Sequence, residues 1–184
     1  QLTIAYNQQA NADKNEIATN TEAFINSRLE KINAELGSTE SQLESYKKRN
    51  NMVELKLNAG QAVQNANAYD QKLADANTQI DLLRSLQEYM NQPANKYQTL
   101  PSNVGLSDQS ATALINRYNE IVLQRNRLLR SASENSPTVT PLTAQLDDLN
   151  NSIRRAMTQS RRSMEIERSS VASQQGKYES QIQE

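Results

Sequence analysis

Apolar residues along this chain recur in steps of three and four, the spacing that puts them on one face of a helix. The longest run is Ile25, Leu29, Ile32, Leu36, Thr39, Leu43, Tyr46, Asn50, Val53 and Leu57. Its 4-3-4-3 spacing is a heptad seam, which implies a left-handed supercoil with a partner helix. Upstream the marks thin to Leu2, Tyr6, Ile17 and Phe24. Gly37 falls inside the seam and is read as tolerated, at a cost of about 1 kcal/mol relative to Ala. After a break near Asn50-Asn51, the next run is Ala62, Ala66, Tyr69, Leu73, Ala76, Ile80, Leu83 and Met90.

The punctuation is densest between Tyr97 and Leu142. Pro101, Asn103 and Gly105 break the period, and Ser107-Asp108 then offers an N-cap. Leu114, Ile115, Tyr118, Ile121, Val122, Leu128 and Leu129 form one apolar face, with Arg125, Arg127 and Arg130 where cations complement a helix C-terminus. Ser136-Pro137 stops that helix, because the residue before Pro is biased away from the helical region. Thr138 or Thr140 can cap the next, with Pro141 tolerated in its first turn. The last seam opens at Leu142, Leu146, Leu149 and Ile153, then shifts to Met157, Met164, Val171 and Tyr178, the slip that a four-residue stutter produces.

The pattern therefore predicts an all-α fold: elongated antiparallel long-helix coiled-coil hairpins, about four helices. The expected spans are 1–50, 61–91, 108–131 and 140–184, in one segment covering 1–184. Run up, down, up, down, at a rise of about 1.5 Å per residue, these helices would bring both termini to one end. Helices one and four would then pair over most of the rod. Composition agrees with thin helical packing. Hydrophobic residues make up 36% and aromatics 4%, too lean for a thick globular core. Beginning at Gln1 without Met and ending inside a helical pattern, the chain is expected to be a fragment of a larger protein.

Catalytic chemistry is nearly absent. There is no His and no Cys, so Ser-His-Asp catalysis and the usual zinc or haem ligands are excluded. No phosphate-binding loop occurs, since Gly176-Lys177 is a lone pair within a helical seam. Carboxylates such as Asp147-Asp148 read as a solvated face. No catalytic, cofactor or metal site is expected. Net charge is −1 with the charges interspersed, which argues against nucleic acid as a partner. The one candidate surface is basic: Arg154, Arg155, Arg161 and Arg162 recur with a period of seven, followed by Arg168. These suit an inter-subunit or anionic-polymer contact, because the guanidinium fork binds carboxylate and phosphate in pairs. The more ordinary reading is a solvated face. No aromatics interleave with them, which again argues against nucleic acid.

Leu106-Ser107-Asp108, then Ala113-Leu114-Ile115-Asn116-Arg117-Tyr118-Asn119-Glu120 and Arg125-Asn126-Arg127-Leu128-Leu129, resembles the bacterial polysaccharide co-polymerases. More narrowly, it resembles chain-length determinants fused to cytoplasmic tyrosine autokinases in Bacteroidetes-type bacteria. Ala18-Thr19 with Thr21, Phe24-Ile25-Asn26-Ser27-Arg28-Leu29, and Tyr46-Lys47-Lys48 with Asn50 add to the likeness. Ser136-Pro137 stands where that pattern has Asn-Pro. The resemblance implies a non-catalytic periplasmic helical segment of an inner-membrane protein. It would act in capsule or exopolysaccharide polymerisation and export and assemble as a homo-oligomer through its parent. The membrane would be reached only through flanking segments, and the kinase domain would lie in the cytoplasm. Two other classes share the helical pattern: the adaptor-type hairpin of an export or efflux system, and a structural coiled coil.

Overall fold

In the computed structural model of the chain, residues 2–49 and 59–182 are described, with side chains described for 8–37, 39 and 67–177. They form four helices: α1 (Leu2–Arg49), α2 (Ala59–Asn91), α3 (Gln109–Leu129) and α4 (Thr140–Ile182). The fold is all-α, with boundaries close to those the periodicity predicts. A single 3₁₀ turn, Pro93–Asn95, follows α2. The side chains of Leu43, Tyr46, Ala62, Ala66 and Tyr178, and all of Asn50, Val53 and Leu57, lie outside the described residues, as does the expected break at 50–51.

The order of the helices differs from a simple up-and-down array. Asn91, Gln87, Asn77 and Asp70 of α2 bond Arg154, Thr158, Arg168 and Gln175 of α4. Each step back along α2 meets an equal step forward along α4, so the two are antiparallel in constant register. Arg125 of α3 bonds Thr143 at the start of α4, so α3 is antiparallel to α4 as well. It follows that α2 and α3 run in the same direction along one long helix. On the other side, Lys31 of α1 meets Glu88, while Asp13 meets Arg127 and Gln9 meets Arg130. α1 is thus antiparallel to α2 and α3, and parallel to α4. The start of α1 lies beside the α3–α4 turn, and the end of α4 lies beside the first half of α2, at the other end of the rod. The expectation that both termini share one end, with helices one and four paired antiparallel, is corrected.

The connection over 92–108 is the cause. A short turn would have forced an antiparallel step. These seventeen residues instead fold back along α2 before α3 begins. Tyr97, Asn103 and Gly105 take left-handed backbone conformations, with φ of 59°, 56° and 85°. A buried connection must satisfy its own N–H and C=O groups, and amide side chains supply the partners. Asn119 accepts from Leu100 N at 2.7 Å and donates to Leu100 O at 2.8 Å. Gln79 donates to Gly105 O at 2.9 Å and accepts from Ser107 N at 3.0 Å. Asn20 donates to Thr99, and Thr21 accepts from Ser102 N. Asp108 then caps α3, accepting from Ala111 N at 3.0 Å, as its position predicts.

The core sits where four helices overlap. Leu82, Leu83, Leu86 and Met90 of α2 meet Ile115, Tyr118, Ile121 and Val122 of α3 and Leu142, Leu146, Ile153 and Met157 of α4. Burial of Met157 and Val171 beyond Ile153 follows the seam shift read from the pattern, while Ser160, outside that reading, is buried as well. α1 contributes Phe24, 5% exposed and edge-on to Tyr89 with ring centroids 6.0 Å apart. Its heptad seam faces outward: Ile25, Leu29, Ile32 and Leu36 are 41%, 51%, 44% and 55% exposed. α1 is docked by the polar groups that satisfy the 92–108 connection, and this turns its apolar stripe away from the core.

Candidate functional site

The arginines of α4 do not form one surface. Arg154 is half-buried and turned toward the end of α2. Its guanidinium donates to the Met90 carbonyl at 2.9 Å, to the Asn91 side chain, and to Asn150 at 2.7 Å on its own helix. The last carbonyls of a helix have no partner within it and carry its negative pole. Arg154 therefore caps α2 with a charge and two bonds. Seven residues on, Arg161 is half-buried and within 3.8 Å of Glu165, an i, i+4 pair. Seven further, Arg168 reaches Asn77 of α2 at 3.4 Å. Arg154, Arg161 and Arg168 thus line the α2 side of the helix. Arg155, which bonds Ser152 at 3.1 Å, and Arg162 are exposed. Of the four predicted contact residues, these two lie open to solvent. The solvated-face reading does not hold at Arg154, which is half-buried against the end of α2.

A second polar cluster was not apparent in the pattern. Arg125 has only 7% of its side chain exposed, stacks over the Tyr97 ring at 4.8 Å, donates to Thr143 at 2.9 Å and approaches Glu134 at 3.4 Å. The Tyr97 hydroxyl donates to Asp147 at 3.0 Å, so this carboxylate, half of a pair expected to be solvated, has a structural partner. Burial pushes the Tyr118 hydroxyl up to about 12, against hydrogen bonds from the Tyr97 backbone and the Asn150 side chain that pull it down. These groups lock the 92–108 connection onto α3 and α4. The signal that could have found them is the pairing of a long connection with amide, tyrosine and arginine residues on otherwise apolar helix faces.

The open surfaces follow α1. Between α1 and α2 lies a groove of about 430 Å³ lined by Arg28, Lys31, Ile32 and Glu35 on one side and Asp81, Arg84 and Glu88 on the other. Its three acids and three bases balance. Further toward the start of α1 is a wider cleft of about 750 Å³, with Ile17, Ala18 and Ile25 facing Asn103 and Asn116. Glu16 sits near that end, its carboxyl raised first by burial and then by Asp13, with Arg130 opposing. No cluster of acidic residues among those described is arranged to hold a metal ion, and no described helix is long and apolar enough to cross a membrane. The chain matches no family model, no curated protein and no solved structure.

Proposed function

We propose that this chain is a non-catalytic helical assembly module, and specifically the periplasmic helical region of a polysaccharide chain-length determinant. The observation that carries the assembly role is the apolar seam of α1, which the fold holds outward on a helix already ordered by its polar face. Such a seam offers contact area and no chemistry. The polysaccharide assignment is supported by the resemblance at 18–29 and 106–129, and the latter stretch holds the Asp108 cap, Asn119 and the core face of α3. In that role the exposed Arg155 and Arg162 are the arginines available to a neighbouring subunit or an anionic polymer. The parent would then carry the membrane spans and the tyrosine kinase, and the module would work through homo-oligomerisation and through contact with the export machinery.

The test is genetic. The coding region for residues 1–184 is removed from the parent gene, the parent's abundance is checked by immunoblot, and surface polysaccharide is separated by size. Loss of the modal chain length is the expected result. An unchanged length distribution at normal parent abundance would overturn the assignment.

A further inference from the structure

On a helix at about 100° per residue, Phe24 and Lys31 point at the body, and Ile25, Leu29, Ile32 and Leu36 lie about a third of a turn away. Numbered as a heptad, Ile25 and Ile32 are d positions and Leu29 and Leu36 are a positions. Arg28 and Glu35 are the g positions and Asn26 and Asn33 the e positions. A partner helix on this stripe meets Arg28 and Glu35 along one edge and the two asparagines along the other.

We infer that the occupant is a second copy of this chain, its α1 lying antiparallel on the first. In that register Leu29 of each copy packs beside Ile32 of the other, and Ile25 beside Leu36, so each apolar side chain meets another. The g positions then face each other across the seam. Arg28 of one copy meets Glu35 of the other, and the two-fold axis repeats the pair, as an isologous contact requires. Asn26 and Asn33 pair in the same way on the opposite edge.

Charge decides against the other arrangements. In a parallel pair the g positions meet the following e positions of the partner, which sets Arg28 beside the second copy's Asn33 and leaves its charge unpaired. The flanking α1–α2 groove holds equal numbers of acids and bases, so it attracts neither a polyanion nor a strongly basic helix. A surface with one base and one acid placed symmetrically about its midpoint is complementary to its own reverse. The free energy of ordering has also been met beforehand. A free helix of two heptads is marginal in water, whereas α1 is already fixed by Phe24, Asn20, Thr21 and Lys31, so association spends little on conformational entropy.

This inference rests on the assembly part of the proposed role and names its surface. Sedimentation equilibrium of the 184-residue chain is expected to show a monomer–dimer equilibrium in the micromolar range. Arg28→Glu alone and Glu35→Arg alone each turn two attractions into two repulsions, and each should weaken dimerisation roughly tenfold. The double exchange R28E/E35R should restore it to within about threefold by the same arithmetic. Leu29→Lys, on a half-exposed side chain, should abolish the dimer with helicity by circular dichroism unchanged. A chain that stays monomeric at several hundred micromolar overturns the inference, because the stripe then belongs to some other helix. Tighter association in Glu35→Arg alone overturns the antiparallel register. A monomeric chain whose deletion still alters polysaccharide length would sink this surface and leave the proposed role standing.

Discussion

Asn119 is the residue on which the path of the chain most depends. Its side chain is 2% exposed and exchanges two hydrogen bonds with the backbone of Leu100, itself 2% exposed. Asn119→Ala removes both partners and leaves one buried N–H and one buried C=O unsatisfied. Each such group costs about 1–3 kcal/mol, so a central figure is about 3 kcal/mol after some relaxation toward solvent. For a chain of this size each kcal/mol lowers Tm by roughly 2–4 °C, giving a fall of about 6–12 °C. Thermal unfolding followed at 222 nm reads this directly, and amide exchange at Leu100 should lose its protection at the same time. Asn119→Asp refines the test. Ionised, the carboxylate keeps an acceptor for Leu100 N but sets a buried charge against Leu100 O. Protonated, it can both donate and accept. Burial raises its folded-state pKa, so its contribution is present below the unfolded carboxyl value and is lost as pH rises through the folded one. Relative to Asn119→Ala, the Asp variant should therefore gain stability as pH falls. An Ala variant within about 0.5 kcal/mol of the parent, the range of an ordinary surface change, would refute the account of how this connection is held.

Three further outcomes are expected. Arg154→Ala removes the charged cap on α2, with bonds to the Met90 carbonyl and Asn91, and should cost about 1.5–2 kcal/mol in denaturant unfolding, while Arg155→Ala stays within about 0.5 kcal/mol. Tyr118, pushed up to about 12 in the folded state, lends stability that is intact below the unfolded value near 10 and lost as pH climbs toward 12; Tyr118→Phe should flatten that part of the alkaline stability curve, by about 2 kcal/mol. Phe24→Ala takes away the buried aromatic of α1 and its edge-on contact with Tyr89, so hydrogen exchange should rise along α1 well before it rises in α4.

Helix positions were legible from spacing, because 3.6-residue periodicity is a local property that any packing of the helix must respect. The Asp108 cap was legible for the same reason: it acts within one turn of itself. The stop expected at Ser136-Pro137 is corrected: α3 already ends at Leu129, and Ser136 lies in the turns that lead into α4, its carbonyl accepting from Val139 N and Thr140 N. The seam shift after Ile153 also showed in the pattern. Direction was not legible. Whether α3 runs with or against α2 depends on how residues 92–108 satisfy their polar groups, and those partners are Asn20, Gln79 and Asn119, far away in the chain. Nor does periodicity say which face of α1 is inward. It marks Ile25, Leu29, Ile32 and Leu36 as one stripe, but the hydrogen bonds owed to Thr99 and Ser102, together with Phe24, choose a face about a third of a turn away. Arg154 and Arg155 are adjacent in sequence, yet a helix turns them roughly 100° apart, and the nearby end of α2 makes a cap of the first and leaves the second to solvent.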